Sequence, residues 1–179
     1  MNNAEYIVNR RIAKFEKVSY EQFLKDMLDT FQLSVVNEKY VKDMYDNIKL
    51  PKRATAGSAG YDFFSPVSYF ALKPGKTIKI PTGIRCEMNN HWVLMLFPRS
   101  SLGFKYQMGM CNTIPVVDSD YYDSDNEGHI FIKFVNRGNK IINITANDRI
   151  AQGIFLPFGI TEDDDCENKR NGGFGSTGA

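Results

Sequence analysis

The acidic stretch at positions 118–127 is the densest set of acid–base side chains in the sequence, since five of its ten residues are Asp or Glu. Asp118 follows two valines, and a carboxylate in such an apolar strand context could act as a general base. From Asp123 the stretch also fits the first half of an EF-hand loop. Its twelfth position is Phe134, however, where calcium needs a bidentate Glu, and strand-like runs flank it. We therefore reject calcium sensing and interpret Asp123 and Asp125 as acids of a solvated hairpin tip.

An arginine and two serines, Arg99, Ser100 and Ser101, end a second apolar run. A planar guanidinium beside hydroxyl donors suits phosphate binding. A surface turn with a salt-bridged arginine has the same residue types, and on types alone a surface turn is favoured. The motif therefore suggests phosphate chemistry without establishing it.

Residues 172–178 read Gly-Gly-Phe-Gly-Ser-Thr-Gly, and such glycines let backbone N–H groups wrap a polyphosphate. The segment is not a Walker A loop, because no Gly-Lys-Ser/Thr follows, and it is not a dinucleotide fingerprint, because no helix follows. A flexible linker has a similar composition, but Phe174 could stack on a base. Both interpretations stay open on the residues alone.

Two further charged groups lie in apolar surroundings. Asp62 falls inside a run of aromatic residues, and Asp148-Arg149 precedes a strand that carries Gln152. A buried carboxylate must be paired or hydrogen-bonded, and Asp148-Arg149 offers such a pair locally. Turn chemistry and an ion pair account for both groups without any function.

The composition of the 179 residues excludes several classes of function. With 22 basic and 21 acidic residues the net charge is +1, so no global field marks a nucleic-acid or membrane binder. Three widely spaced cysteines predict reduced thiols in a cytoplasmic protein, and neither a secretory signal nor a membrane span is recognisable. His91 and His129 lack triad or zinc spacing, and we interpret them as a turn residue and a strand-edge residue.

Residues 1–50 predict a short α-helical N-terminal extension. Ser19 with Gln22 three residues later fits a capping box, and Phe23 begins an apolar stripe at helical spacing. Residues 41–48 suggest a second short helix. We expect this extension to pack against the main domain or against a neighbouring subunit.

Residues 51–160 predict a β domain, and the polar residues 161–179 predict a flexible tail. Many short runs of Val, Ile, Phe and Tyr, separated by Gly, Pro and Asn, favour a sandwich, jelly roll or barrel. The predicted strands are Tyr61–Phe64, Tyr69–Leu72, Thr77–Ile80, Ile84–Met88, Val93–Phe97, Ile130–Val135, Ile141–Ile144 and Ile150–Phe155.

Five segments, taken in order, resemble the five sequential motifs of trimeric dUTPases. They are residues 56–62, 98–103, 112–121, 148–152 and 172–178. The resemblance covers roughly residues 50–179 and implies an all-β, distorted jelly-roll or β-clip subunit. It also implies a homotrimer with active sites between subunits, and a Mg²⁺-dependent hydrolysis of dUTP to dUMP and pyrophosphate.

The resemblance implies a role for each motif residue. Asp118 resembles the carboxylate that orients and deprotonates the water attacking the α-phosphorus, and Tyr121 the aromatic residue that packs under the sugar. Asn112, Thr113 and Val117 resemble the hairpin that reads uracil, which can reject thymine sterically and cytosine by mismatched donors.

The remaining motif residues resemble phosphate-binding and supporting groups, with Mg²⁺ chelated mainly by the triphosphate. Arg99, Ser100, Ser101 and Gln152 are implied substrate contacts, and Asp62, Asp148 and Arg149 are implied supports. The tail would close over the nucleotide, with Phe174 stacked on uracil. The phosphates would be bound by Gly175, Ser176 and Thr177, and the γ-phosphate would be reached by Arg170 or Lys169.

The sequence departs from the family pattern in places and leaves alternatives. Pro115 stands where the family often has Gly, and residues 122–127 look like an insertion. A dCTP deaminase-like or bifunctional enzyme would need a Glu base near the pyrimidine, for which there is no clear candidate. A non-catalytic trimeric binding module is disfavoured because Asp118, Ser100 and the tail are retained. We expect dUTP as the ligand and neither nucleic acid nor membrane as a partner.

Overall fold

The computed structural model describes residues 11–32 and 37–167. Its elements, in chain order, are β1 (Ala13–Lys17), α1 (Tyr20–Phe31), α2 (Glu38–Asp46), β2 (Lys52–Arg53), β3 (Tyr61–Phe64), β4 (Tyr69–Leu72), β5 (Thr77–Pro81), β6 (Ile84–Met88), β7 (Trp92–Pro98), α3 (Ser100–Tyr106), β8 (Met108–Met110), β9 (Val116–Val117), a 3₁₀ helix (Ser119–Asp123), β10 (Phe131–Asn136), β11 (Ile142–Thr145) and β12 (Arg149–Pro157).

The strands pair antiparallel in small sheets around one apolar core. The largest sheet has the order β2-β3-β12-β7-β9, and β5-β10-β8, β11-β4 and β1-β6 complete the described part. All eight predicted strands are present, with ends that differ by at most two residues. Runs of Val, Ile, Phe and Tyr bounded by Gly, Pro and Asn located them, because β-branched and aromatic side chains pack on the core while turn residues separate the strands.

Several short elements were not predicted from the sequence. The strand β8 reads Met-Gly-Met, and α3 contains a glycine and has no side-chain hydrogen bond at its N-cap. The strand β1 lies inside the extension that we expected to be helical, and it pairs along its length with β6. Such elements have weak local propensity and depend on the partner strand or turn beside them.

Helix α1 begins where the sequence predicts, but its capping box is only half formed. The Ser19 side chain accepts a hydrogen bond from the Gln22 backbone N–H at 3.1 Å. The Gln22 side chain does not return to Ser19, because it donates to Asp26 instead. The carboxylate of Glu127 accepts from the Ser19 N–H at 2.7 Å and so takes the place of the residue that closes a capping box.

The two helices of the extension pack on the β domain of the same chain. Phe23 and Met27 of α1, together with Val41 and Met44 of α2, belong to the same buried core as the strands. Helices of 12 and 9 residues are marginal in water, and burying each such side chain stabilises the fold by about 1.5–3 kcal/mol. Among the described residues no helix is both long and apolar enough to cross a bilayer.

Candidate active site

Three of the predicted motifs meet at a cavity of about 380 Å³ on one edge of the largest sheet. Its polar lining consists of Ser58, Asp62, Arg99, Ser100, Arg149 and Gln152. Strand β12 lies between β3 and β7, with Gln152 opposite Asp62 on one side and Phe97 on the other. The register of the central strand therefore brings Asp62 and Gln152 together, although they are far apart in the sequence.

The carboxylate of Asp62 is shared by two arginines at the base of this cavity. Its side chain is 12% exposed; one oxygen forms a salt bridge with Arg99 Nε at 3.1 Å, and the other accepts a hydrogen bond from Arg149 Nη1 at 3.3 Å. One negative charge faces two positive charges, so the cluster keeps a net positive charge, and Arg149 is nearly half exposed. Guanidinium N–H groups not used by Asp62 are suited to phosphate oxygens.

The local Asp148–Arg149 ion pair that the sequence suggested is wrong. Arg149 pairs with Asp62, whereas Asp148 accepts hydrogen bonds from the backbone N–H and the hydroxyl of Thr145 at 2.7 and 3.0 Å. Asp148 therefore stabilises the turn between β11 and β12. Arg149, which the resemblance gave only a supporting role, contributes a cation to the cavity.

Gln152 is positioned by a close approach to Gly60. A Cβ built on Gly60 would lie 2.7 Å from Gln152 Oε1, and the Gln152 amide donates to the Pro98 carbonyl at 3.5 Å. Only glycine fits at position 60 without displacing this side chain. This role leaves no local signal in the sequence, because the contact joins the residue before β3 to a distant residue of β12.

Ser100 lines the cavity, whereas Ser101 does not. Both serines are exposed in the first turn of α3, next to the N-cap residue Arg99. The turn of the helix directs successive side chains about 100° apart, so only one of the two faces the arginines. The structure thus places Ser100 beside the arginines and Ser101 outside the cavity lining, and a phosphate contact of either serine stays a prediction.

The predicted base-reading hairpin contains a strained turn. Thr113 has φ +62°, and the Ile114 N–H donates to the Asn112 carbonyl at 2.7 Å, so the three residues form a γ-turn. A positive φ is a genuine outlier for a β-branched residue and often marks a functional position. Asn112 and Thr113 are exposed, whereas Val117 is buried as a whole residue and pairs with Leu94 in the sheet.

Pro115 fits the hairpin through its carbonyl group. It lies opposite Leu96, and its oxygen accepts the Leu96 N–H at 2.9 Å. Proline can return no hydrogen bond to the Leu96 carbonyl, which leaves β9 a two-residue edge strand with a weakened ladder. The replacement of glycine thus costs one hydrogen bond and does not unfold the turn.

The residues after β9 form a compact loop, Asp118–His129, that we call the acidic loop. Asp118 is exposed at the N-cap of the 3₁₀ helix, where its carbonyl accepts the Tyr121 N–H. The Tyr121 hydroxyl donates to the His129 carbonyl at 2.7 Å and accepts from the Asn126 amide at 2.8 Å. These bonds close the loop on itself.

One sequence interpretation is corrected in the acidic loop, and one stays a prediction. Tyr121 is only 2% exposed in the described chain, where its ring belongs to the core and its hydroxyl closes the loop, and its contact with a sugar stays a prediction. His129 is fully buried and is not an edge residue. Its Nε2 accepts the Gly83 N–H at 2.7 Å, which places the proton on Nδ1, 2.6 Å from Asp26 Oδ2.

The cavity and Asp118 lie at opposite ends of β7. Val117 pairs with Leu94, so Asp118 falls near Val93, whereas Arg99 follows the other end of the strand. Six residues of extended chain span roughly 20 Å. The motif residues of one described chain therefore form two separate surfaces, one cationic and one carrying the candidate base.

The tail residues Lys169, Arg170, Phe174, Gly175, Ser176 and Thr177 lie outside the described residues. Within the described ranges, no group of three or more His, Cys, Asp or Glu side chains is arranged to hold a metal ion.

The fold and the cavity define a β-sheet protein equipped to bind phosphate groups.

Comparison with known proteins identifies the family. The dUTPase family model matches residues 46–178. A deoxyuridine 5'-triphosphate nucleotidohydrolase of Lactococcus lactis subsp. lactis (strain IL1403) is 40% identical over 135 residues, which are 74% of this chain and 89% of that protein. The chain belongs to the dUTPase family, so the predicted resemblance is confirmed.

Solved structures confirm the predicted jelly-roll-like fold. The crystal structure of dUTPase from Streptococcus mutans matches with a TM-score of 0.61 and 30% identity, covering 83% of this chain and 98% of that chain. The dUTPase of Staphylococcus bacteriophage 80alpha matches with a TM-score of 0.61 over 89% of this chain and 98% of that chain, at 17% identity. The second likeness concerns the fold alone.

Proposed function

We propose that this chain hydrolyses dUTP to dUMP and pyrophosphate at sites shared between the subunits of a homotrimer. Hydrolysis of dUTP follows from membership of the dUTPase family. The shared site is supported by one observation, the separation of Asp118 from the cationic cavity along β7. Within one chain, roughly 20 Å of strand separates Asp118 from the cavity, so the two cannot act on one substrate. A second copy can instead present its acidic loop to the cavity.

The cavity supplies the phosphate-binding half of the reaction. Arg99 and Arg149, oriented by Asp62, offset the charge of the triphosphate, while Ser100 and Gln152 offer neutral donors. Asp118 of the neighbouring copy orients a water molecule and takes its proton as the water attacks the α-phosphorus in line. The α–β bridging oxygen leaves with pyrophosphate.

The hairpin at Asn112–Ile114 supplies base selection in this proposal. Its γ-turn fixes an exposed backbone beside the amide side chain of Asn112. A rigid turn of this kind discriminates through donors and acceptors that a wrong base would leave unpaired. Uracil would be read there, with the 5-methyl group of thymine excluded by lack of space.

A divalent cation, Mg²⁺ in this proposal, would arrive chelated by the triphosphate. The donor set fits this arrangement, because both oxygens of Asp62 are occupied by arginines and the described residues contain no cluster of metal-binding side chains. When bound, the ion offsets phosphate charge and fixes the conformation of the chain of phosphates.

A cytoplasmic location and a closing tail complete the proposal. Cys86 is a free, buried thiol, and burial raises its pKa to about 12, as expected for an inert structural cysteine.

Truncation before Gly172 is expected to reduce turnover sharply while leaving the trimer intact by sedimentation. Full turnover by the truncated chain would remove the tail from the mechanism.

A nucleotide panel tests the reaction. With Mg²⁺, dUTP alone among dUTP, dTTP, dCTP and UTP is expected to give a monophosphate and pyrophosphate. Conversion of dCTP to dUMP would identify a bifunctional deaminase, and no turnover of any nucleotide would indicate a binding module.

Mixed trimers test the shared site. Two variants each lack one half of the site: Asp118→Asn lacks the base, and Ser100→Ala/Gln152→Ala lacks phosphate-binding groups. The two chains carry different tags, are co-expressed, and are purified through both tags. In a cyclic trimer one of the three interfaces pairs the two intact halves, so roughly one third of wild-type activity is expected. Activity no higher than that of the separate variants would place the whole site in one chain.

A further inference from the structure

We infer that the N-terminal extension, although it lies largely outside the matched family region, positions the acidic loop that carries Asp118. Three side chains of the extension, Glu16, Ser19 and Asp26, bind three residues of that loop, Tyr122, Glu127 and His129. We call these three contacts the brace. The inference rests on the proposed role of Asp118 and deepens it.

The acidic loop forms one unit because residues near its start and at its end are joined by direct contacts. It starts at Asp118 and closes where the Tyr121 hydroxyl bonds to the His129 carbonyl. Gly128 has φ +68°, and a Cβ there would lie 2.7 Å from Tyr122 Cα and 2.8 Å from the Tyr121 carbonyl oxygen. Two backbone stretches of the loop are therefore in direct contact, so a displacement at residues 122–129 is transmitted to Asp118.

The first contact of the brace joins Glu16 of β1 to Tyr122. The Tyr122 hydroxyl donates to Glu16 Oε2 at 2.6 Å, and Arg85 lies over the Tyr122 ring at 3.5 Å while donating to the Tyr122 carbonyl at 2.9 Å. Glu16 and Arg85 are opposite each other in the β1–β6 pair. Glu16 of the extension and Arg85 of β6 thus hold Tyr122 from two sides.

The second contact uses one carboxylate for two purposes. Glu127 accepts from both the N–H and the hydroxyl of Ser19, at 2.7 and 2.6 Å, so it caps α1 while holding the loop. Burial acts to raise the pKa of Glu127, but the two hydrogen bonds from Ser19 outweigh it, and the pKa lies below its ordinary value. A charged Glu127 therefore couples helix and loop.

The third contact is the most buried. His129, with no exposed surface, is held between the Gly83 N–H and Asp26 of α1, and its ring packs 4.6 Å from that of Phe131. Burial opposes ionisation of Asp26, but hydrogen bonds from His129 and Gln22 hold its pKa below the ordinary value. The end of the loop is thus fixed to α1 by a hydrogen bond with little competition from water.

The functional consequence follows from the position of Asp118 beside a weak edge strand. With only two residues of β9 before it and one ladder bond missing at Pro115, the strand alone constrains Asp118 poorly. Misplacement of a catalytic group by about 1 Å can lower a rate about 100-fold. Since the cavity lies at the far end of β7, loosening the brace should lower kcat and leave KM nearly unchanged.

The test compares two matched Tyr→Phe variants in the full-length trimer. Tyr122→Phe removes the hydrogen bond to Glu16, while Tyr69→Phe removes a 3.0 Å hydrogen bond to Asn143 that joins β4 to β11 and involves neither the extension nor the loop. We expect Tyr122→Phe to lower kcat several-fold, and the triple variant Tyr122→Phe/Glu127→Gln/Asp26→Asn to lower it about 30-fold, with KM within twofold. Tyr69→Phe should keep wild-type kcat.

Two further readouts distinguish a loosened brace from unfolding or from loss of the trimer. Thermal unfolding and sedimentation must show that the variants are folded trimers at the assay temperature. Folded variants with wild-type kcat, or variants that lose activity only through a higher KM, would overturn the brace. Full turnover by Asp118→Asn would instead overturn the proposed role of Asp118 itself.

Discussion

The cationic cavity and the acidic loop solve the same problem, the placement of a charged side chain, in different ways. In the cavity, Asp62 and Gln152 stand on neighbouring strands of the largest sheet, and the ladder sets their spacing. In the acidic loop, Asp118 follows a two-residue edge strand, and side chains of a separate extension bind the residues after it. A rigid sheet makes a site self-sufficient, whereas an irregular segment needs external support.

The largest expected effect is at Asp118. Asp118→Asn keeps the size and polarity of the side chain but cannot accept a proton, so turnover should fall about 1,000-fold or more. Nucleotide affinity, measured by calorimetry with a non-hydrolysable analogue, should stay within a few-fold, because the phosphate-binding groups lie elsewhere. Loss of affinity as large as the loss of turnover would point to a structural role for this carboxylate.

Gly128→Ala is expected to destabilise the acidic loop strongly. The substitution requires both a left-handed backbone and space that Tyr122 Cα already fills, so about 2–4 kcal/mol of unfolding free energy should be lost. Gly57→Ala is the control, because nothing lies within 4 Å of its position. Equal urea midpoints for the two variants would show that the loop closes differently.

Gly60→Ala should affect the cavity without affecting the loop. Its Cβ would displace Gln152 from the phosphate-binding surface, so KM for dUTP should rise about tenfold with a smaller change in kcat. This is the reverse of the pattern expected for the brace variants. A lower kcat with an unchanged KM would contradict the assignment of Gln152 to substrate binding.

The smallest effect concerns pH. The folded-state pKa values of Asp26 and Glu127 are lowered, so their contribution to stability is present above the ordinary carboxyl range and is lost as pH falls through the folded values. Stability measured by urea unfolding should decline below about pH 4.5 more steeply in wild type than in Glu127→Gln. Parallel curves for the two proteins would show that Glu127 is not linked to folding.

The sequence predicted best what depends on nearby residues. Apolar runs bounded by turn residues located β3, β4 and β6 with their exact ends, and Ser19 was identified as a helix cap. The ordered motifs also marked Asp62, Arg99 and Gln152, which the structure brings to one cavity. Burial on one face and hydrogen bonds between residues three positions apart leave a local record in the sequence.

Partners, by contrast, were misjudged wherever they came from distant parts of the chain. Arg149 was paired with its neighbour Asp148 and not with Asp62. Glu127 was placed in an insertion of open role, although it caps a helix 108 positions away. The strand β1 was missed because its short, highly charged sequence depends on pairing with β6.

The sequence by itself therefore determined the family and eight strands of the described chain, since these are written in short motifs and in apolar runs, and it marked the candidate reactive groups. Only the tertiary structure decided that Asp118 and the cationic cavity lie on separate surfaces of one chain. The register of β7 places Asp118 and Arg99 at opposite ends of one strand, and the packing of α1 and β1 ties the acidic loop to the extension. The physical reason is that strand register and buried hydrogen bonds are fixed by contacts across the whole chain, which no local pattern encodes.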